Sequence, residues 1–202
     1  MTIIKNKLYK NKIMAKQDKT TSPTSKKSSN KMESKGFPAQ PQLSVPTDLK
    51  PTEVQNVVHA VNPLIADAFA LYTKTKNFHW HLSGSHFRDY HLLFDEQAEA
   101  IYDSIDILAE RVRRIGGTTI RSISHISQLQ TISDNNDDFV SAQDMIAALL
   151  ADNRHIAANQ RTAIKTTEDN RDSPTSNLLQ EQLDATERRI WFLFEISQGF
   201  EN

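Results

Sequence analysis

The sequence contains no cysteine. Disulfides and thiolate metal sites are therefore excluded, which is compatible with a reducing compartment. The chain also has no run of about 18 apolar residues, the length that a membrane-spanning helix needs. The first residues, MTIIKNKLYKNKI, lack the continuous apolar core of a secretory signal. We therefore expect a cytoplasmic protein with no membrane segment.

The stretch from Phe87 to Ile115 contains neither proline nor glycine, and apolar residues recur along it at helical spacing. Gly116 and Gly117 follow directly and are expected to end the helix. This part of the sequence predicts one long helix, and its polar positions carry an unusual set of side chains.

Four of these side chains share one stripe of the helix: His91, Asp95, Asp106 and Glu110. A rise of about 1.5 Å per residue separates Asp95 from Asp106 by about 16 Å, whereas metal–oxygen bonds are about 2.0 to 2.2 Å long. One straight helix cannot bring both pairs onto one metal. If the four act together, a second copy must run antiparallel, so that each pair meets the other pair across a two-fold axis, which predicts a homodimer with two equivalent sites.

The ligand types restrict the metal. Imidazole combined with carboxylate suits iron, manganese or zinc, whereas a site made only of oxygen would favour magnesium or calcium. A redox-active iron site fits this combination best.

A further histidine, His79, lies in the last turn of the preceding predicted helix and just before the start of the next. A lone histidine there is more often structural, but four further candidate ligands at matching spacing favour a ligand. Trp80 is expected to be a buried aromatic near the site. His81 falls on nearly the opposite side of the helix from His79, so a surface position is expected and direct ligation is only an alternative.

The pattern resembles the Dps family of mini-ferritins. It consists of HW, a second His twelve residues after the first, Asp four later, Asp eleven later and Glu four later, followed by Arg and a GG break. The resemblance extends over roughly residues 50–200, including WFLFE near the C-terminus. By this resemblance an inter-subunit ferroxidase centre is formed by His79, His91, Asp95, Asp106 and Glu110.

The resemblance implies a function. Two Fe(II) ions would be oxidised at each composite site, preferably with hydrogen peroxide rather than dioxygen, and Fe(III) would be mineralised inside a hollow homododecamer built from two-fold dimers. Two rival readings remain open. One is a DNA-compacting protein whose metal site is vestigial or occupied by zinc, and the other is an ordinary helical bundle whose acids only solvate a helix face.

The remaining segments complete an all-α, ferritin-like four-helix bundle over residues 49–202. The first helix is predicted from Thr52 or Glu53 to about Leu82, with a kink or break at Pro63 and Asn62 as a possible cap. The long connection after the second helix is expected to contain one short helix. The last two helices are predicted over 141–168 and, capped by Ser173, from there to about Gly199.

Residues 1–48 are rich in Lys, Ser, Thr and Pro, which predicts a disordered tail in which Met14 is an alternative start. Residues 1–36 carry ten lysines against Asp18 and Glu33, a balance of +8, so the rest of this chain of net charge −1 carries −9. Such a tail can bind the DNA backbone with little regard for base sequence, although it can also act only as a solubilising segment. The resemblance to the Dps family favours DNA binding, and hence association with the nucleoid. The lysines expected to contact the DNA are Lys16, Lys19, Lys26, Lys27, Lys31 and Lys35.

Weaker candidates lie on the third helix and at its end. His155 is about 100° away from the core face of that helix, so we expect a flanking polar residue, with an extra metal ligand as the alternative. Glu168, Asp169 and Asp172 are expected to form a solvated acidic corner. By resemblance, acids at this corner line three-fold pores through which iron enters the shell.

Overall fold

Helices account for the fold in the computed structural model, which describes residues 41–200. No β-strand occurs within this range. The helices, numbered in chain order, are α1 Pro51–His81, α2 Phe87–Arg114, α3 Ile123–Leu129, α4 Ala142–Asp169 and α5 Ser173–Ser197. Short 3-10 turns occur at Pro41–Leu43 and Gln198–Phe200. The all-α prediction is confirmed, whereas residues 1–40 of the predicted tail (1–48) lie outside the described residues.

The four long helices form two pairs. α1 packs along α2, α4 packs along α5, and α1 also packs against α4. The connection between α2 and α4 carries α3, which packs against α1. This is the ferritin-like bundle with a short helix in its long crossover that we predicted, and it brings the end of α1 beside the start of α2.

Two clusters of buried apolar side chains fill the bundle. One lies around Phe78, Phe94 and Met145, and the other around Ile65 and Leu179. Each such side chain removed from water stabilises the fold by about 1.5–3 kcal/mol. Because both clusters draw residues from α1, α2, α4 and α5, they hold the four helices together along their length.

The prediction at Pro63 was a kink or a break; α1 continues through this residue, so a break does not occur. Val61 and Ile65 on either side of the proline are fully buried, and this packing outweighs the loss of one backbone hydrogen bond. Asn62 does not cap a helix either. Its amide donates to the backbone oxygen of Thr118 at 2.9 Å and so ties α1 to the crossover.

The end of α2 follows the prediction. Gly116 has a φ of 86°, a left-handed conformation that glycine adopts at little cost, and its N–H donates to Arg113 O at 3.0 Å. A Cβ on Gly117 would lie 2.3 Å from a methyl carbon of Val58, so only glycine allows this close approach to α1.

The segment before α1 also contacts the bundle. Arg113 donates to the backbone oxygen of Leu43 at 3.0 Å, and Val45 lies beside Gly116. Contacts with the body of the protein thus begin a few residues before the predicted boundary at residue 48. Among the described residues, no helix has the length and apolar character that crossing a bilayer requires.

Candidate metal centre

Two histidines face each other where the end of α1 meets the start of α2. The imidazole rings of His79 and His91 stack with their centroids 3.7 Å apart and an interplanar angle of 21°. Nδ1 of His79 donates to the backbone oxygen of His91 at 2.8 Å, and Nδ1 of His91 donates to the backbone oxygen of His79 at 3.0 Å. These reciprocal hydrogen bonds fix both rings.

The hydrogen bonds also determine which ring nitrogen can bind a metal. A carbonyl oxygen can only accept a hydrogen bond, so each Nδ1 carries a proton. In the neutral ring the lone pair then lies on Nε2, the atom available for ligation. His79 is only 8% exposed, and Phe87 stacks on His91 with centroids 4.9 Å apart. The bundle therefore holds two imidazole nitrogens in place as candidate metal ligands.

Asp95 lies one turn after His91 and brings a carboxylate to the pair. Its Oδ1 atom is 3.8 Å from Nε2 of His79 and 2.6 Å from Nζ of Lys76. The hydrogen bond from Lys76 holds the pKa of Asp95 below its usual range; the positive charge of Lys76 acts in the same direction, while partial burial opposes it. The carboxylate is a candidate anionic ligand, and its charge is matched by the Lys76 ammonium group.

Asp106 and Glu110 lie farther along α2, and both are exposed. Glu110 accepts a hydrogen bond from Arg114 Nη2 at 3.0 Å. Both acids line a surface depression of the chain together with Arg113. The helix rise keeps them about 16 Å or more from Asp95, so a single chain presents two separate groups of candidate ligands, one of three residues and one of two.

Within residues 41–200 of one chain, no three His, Asp or Glu side chains are close enough together to hold a metal ion. His79, His91 and Asp95 supply two imidazole nitrogens and one carboxylate, donor types that fit iron. The described part of one chain adds no further oxygen ligand to this set, and Nζ of Lys76 donates to one oxygen of Asp95.

Trp80 is 63% exposed, so the prediction that it is buried is wrong for the chain by itself. It follows the buried His79 by one residue, which turns it about 100° around α1 toward solvent. Its ring lies 5.9 Å from Nζ of Lys76. His81 is also exposed and donates from Nδ1 to Asn77 O at 2.9 Å.

His155 belongs to a hydrogen-bonded network rather than to a cluster of metal ligands. Its Nε2 atom lies 2.8 Å from Thr131 Oγ1 and 3.1 Å from Asn159 Nδ2. Thr131 in turn donates to the fully buried Asp67, from Oγ1 at 2.7 Å and from its backbone N–H at 2.5 Å. This network fastens the crossover to α1 and α4.

The acidic corner at the end of α4 is not uniform. Glu168 and Asp169 are exposed, but the side chain of Asp172 is fully buried, so its expected place among solvated acids is wrong. Asp172 accepts from Arg111 at 2.5 Å and from the Thr175 backbone N–H at 3.2 Å. Asp172, not Ser173, is therefore the N-cap of α5.

Lys76 is the residue of this centre that the sequence reasoning missed. It precedes His79 by three residues, which places both on one face of α1. This spacing could have identified Lys76 from the sequence, because a long side chain three residues from His79 lies on the same face of α1 and can reach the same carboxylate.

The paired helices, the long crossover and its short helix define a ferritin-like bundle. In agreement, residues 58–201 match the family model described as a ferritin-like domain. The match covers the four long helices apart from the start of α1, and it includes every residue of the candidate centre.

Similar proteins indicate which family of ferritin-like proteins this chain belongs to. An uncharacterized low temperature-induced protein of Nostoc is 34% identical over 72% of this chain and 82% of its own length. DNA protection during starvation protein 1 of Deinococcus radiodurans is 26% identical over 72% of this chain and 70% of its own. The solved structure of DpsC from Streptomyces coelicolor has a TM-score of 0.73 and 28% identity, covering 75% of this chain and 89% of that one. The chain belongs to the Dps family of ferritin-like proteins.

Proposed function

We propose that this protein is an iron-oxidising and iron-storing mini-ferritin that protects against oxidative stress. It oxidises Fe(II), preferably with hydrogen peroxide, at sites shared between two subunits, and it stores Fe(III) as mineral inside a dodecamer. The observation that carries the proposal is the pair of stacked imidazoles beside Asp95, with both Nε2 atoms left free by reciprocal hydrogen bonds.

The ligand geometry supports a site shared between two chains. His79, His91 and Asp95 form one half, and the exposed Asp106 and Glu110 of an antiparallel second copy complete it. A two-fold axis then produces two such sites per dimer. Because both acids are exposed, a partner chain can reach them. The roughly 16 Å between Asp95 and Asp106 along one straight helix excludes a site in which both bind the same metal ion within one chain.

Each ligand type has a role toward the two Fe(II) ions that are the substrate of one site. The imidazoles of His79 and His91 favour binding of Fe(II), and the carboxylates stabilise Fe(III). Asp95 and Glu110 contact or bridge the ions, with Asp106 contributed by the partner chain. Two Fe(II) ions give one electron each to hydrogen peroxide, whose O–O bond breaks to form two hydroxide ions. A paired transfer of this kind avoids release of hydroxyl radical.

The central experiment is Fe(II) oxidation by hydrogen peroxide in the wild type and in Asp106→Ala. We expect the rate to fall at least about tenfold, because loss of even an outer-shell partner of a metal ligand commonly costs that much. Asp184→Ala, an exposed aspartate on α5, is the matched control and should keep the wild-type rate. Equal rates in Asp106→Ala and wild type would contradict the ferroxidase proposal and favour a vestigial or zinc-occupied site.

A second function, non-specific DNA binding, is favoured by the +8 balance of residues 1–36. A dodecamer would present twelve such arms, and weak phosphate contacts would add by avidity. One relative is named as a DNA protection protein. Deletion of residues 1–36 should abolish retardation of DNA in a gel at low salt while leaving Fe(II) oxidation unchanged. Retardation that persists unchanged would exclude the arm as the DNA-binding element.

A further inference from the structure

A cleft of about 140 Å³ lies between α2 and α5, apart from the candidate metal centre. Two alanines, Ala100 on α2 and Ala185 on α5, leave this space open because their side chains are short. The remaining lining residues are Leu93, Glu96, Gln97, Arg188, Arg189 and Phe192. A cavity of this size accepts a small ion and is well below the roughly 300–1,000 Å³ of pockets for drug-sized ligands.

Arg189 is the most unusual residue of the cleft. Its Nε donates to Asn153 Oδ1 at 2.8 Å and its Nη2 donates to Thr186 Oγ1 at 2.8 Å. Both partners are neutral and almost fully buried. Among the described residues, no carboxylate oxygen lies within ion-pair distance of Arg189. Burial lowers the pKa of Arg189 to about 10, so the guanidinium still carries its charge at neutral pH.

A buried charge is normally paired, because removal of a charge from water is costly unless an opposite charge compensates. This chain follows that rule elsewhere, since Arg111 is paired with the fully buried Asp172. Arg189 is only partly buried, but within residues 41–200 it has no such charged partner. Its guanidinium has five N–H donors in a planar fork, and the two hydrogen bonds to Asn153 and Thr186 leave donors for a further acceptor.

The rim of the cleft adds a second positive charge. Arg188 is exposed and its guanidinium lies 5.5 Å from the centre of the Phe192 ring, which holds it at the mouth. Gln97 is 6% exposed and brings an amide group to the same cleft. Glu96 is the one acid among the lining residues, and it forms no ion pair with either arginine in the described range. The cleft is therefore net positive.

We propose that this cleft is a binding site for a small oxyanion of the phosphate class, with the partly buried Arg189 as its anchor. The planar guanidinium binds two oxygens of such an anion, and Arg188 closes over it from the rim. The cleft is too small to take in a nucleoside, so we infer a free ion as its occupant, and competition by DNA tests this choice.

The test uses the assembled, full-length protein freed of iron with a chelator, so that ferric phosphate cannot form. Binding of inorganic phosphate is measured by phosphorus NMR line width and by calorimetry at constant ionic strength. We expect saturable binding by the wild type and a loss of affinity of at least about tenfold in Arg189→Met, the size expected for hydrogen bonds to a charged group. Arg161→Met, which removes an exposed arginine paired with Glu187, is the matched control and should bind as the wild type does.

Two further variants separate binding from folding. Ala185→Leu fills the cleft but leaves both Arg189 hydrogen bonds, and it should also abolish binding. Glu96→Gln removes the negative charge at the rim and should increase affinity. The proposal is overturned if the wild type shows no saturable binding, if Arg161→Met loses as much affinity as Arg189→Met, or if a crystal structure shows a carboxylate of a neighbouring subunit beside Arg189. Displacement of phosphate by a short DNA duplex, but not by sulfate, would also overturn it.

Discussion

His79 and His91 orient each other, since each ring donates from Nδ1 to the other residue's backbone oxygen, at 2.8 and 3.0 Å. The hydrogen bonds join the last turn of α1 to the second turn of α2. The same two hydrogen bonds therefore hold the two helix ends together and orient the two potential metal ligands.

The two-chain site can be tested by mixing defective subunits. One variant carries His91→Ala with Asp95→Ala, and the other carries Asp106→Ala with Glu110→Ala. Each variant alone should be inactive. In random co-assembly about half of the dimers contain one copy of each variant, and one of the two sites in such a dimer combines an unaltered histidine half with an unaltered acid half. About a quarter of all sites should therefore be active. Fe(II) oxidation by the co-expressed mixture is the measurement. Mixtures as inactive as their components would contradict a shared site.

Lys76 is expected to compete with Fe(II) for Asp95. Replacement of Lys76 by Met removes the ammonium group 2.6 Å from Asp95 Oδ1 and should raise the pKa of Asp95 toward its usual value. Fe(II) should bind up to about fivefold more tightly, since a partly exposed ion pair contributes at most about 1 kcal/mol. Anaerobic Fe(II) titration measures this. Lys165→Met, which breaks the exposed pair with Asp169, is the control, and weaker binding by Lys76→Met would show that Lys76 assists the site.

The ion pair of Arg111 with Asp172 should be important for stability. Asp172 is fully buried, and Arg111→Met would leave its carboxylate without a charged partner, at a cost of about 3–5 kcal/mol. The free energy of unfolding in urea, compared at equal oligomeric state, is the measurement. Arg161→Met breaks an exposed pair and should cost less than about 1 kcal/mol. Similar losses in the two variants would contradict the assigned burial of Asp172.

Glu53 should make stability depend on acid pH. Both carboxylate oxygens accept from Arg171, at 3.0 and 2.8 Å, and this pairing, together with the hydrogen bond from the Lys50 N–H, lowers the pKa of Glu53 from 4.5 to about 2. The unfolded chain binds this proton first as the pH falls, so the stabilisation is present above about pH 4.5 and is lost toward pH 2.

The variant Glu53→Gln should therefore lose stability less steeply than the wild type over this range, as measured by urea midpoints at several pH values. Glu187→Gln, which alters an exposed pair, serves as the control. Parallel pH profiles for Glu53→Gln and wild type would exclude this contribution.

The periodicity of the sequence was sufficient for the helices, since the apolar spacing that predicts a helix also defines the face that it buries. Predictions failed where a distant contact outweighed a local preference. Pro63 remains inside α1 because Val61 and Ile65 are buried beside it, and Asp172 rather than Ser173 caps α5 because Arg111 reaches it from another helix.

By itself, the sequence determined which ligand types are present, their order along α2, and the rule that one rigid helix cannot close the site, because these follow from residue identity and a constant helical rise. Only the tertiary structure decided that His79 and His91 share reciprocal hydrogen bonds, that Lys76 reaches Asp95, and that Arg189 lines a cleft without a carboxylate partner in the described range. Those relationships join side chains on different helices, and their separation is set by how the helices pack, which no local pattern of residues specifies.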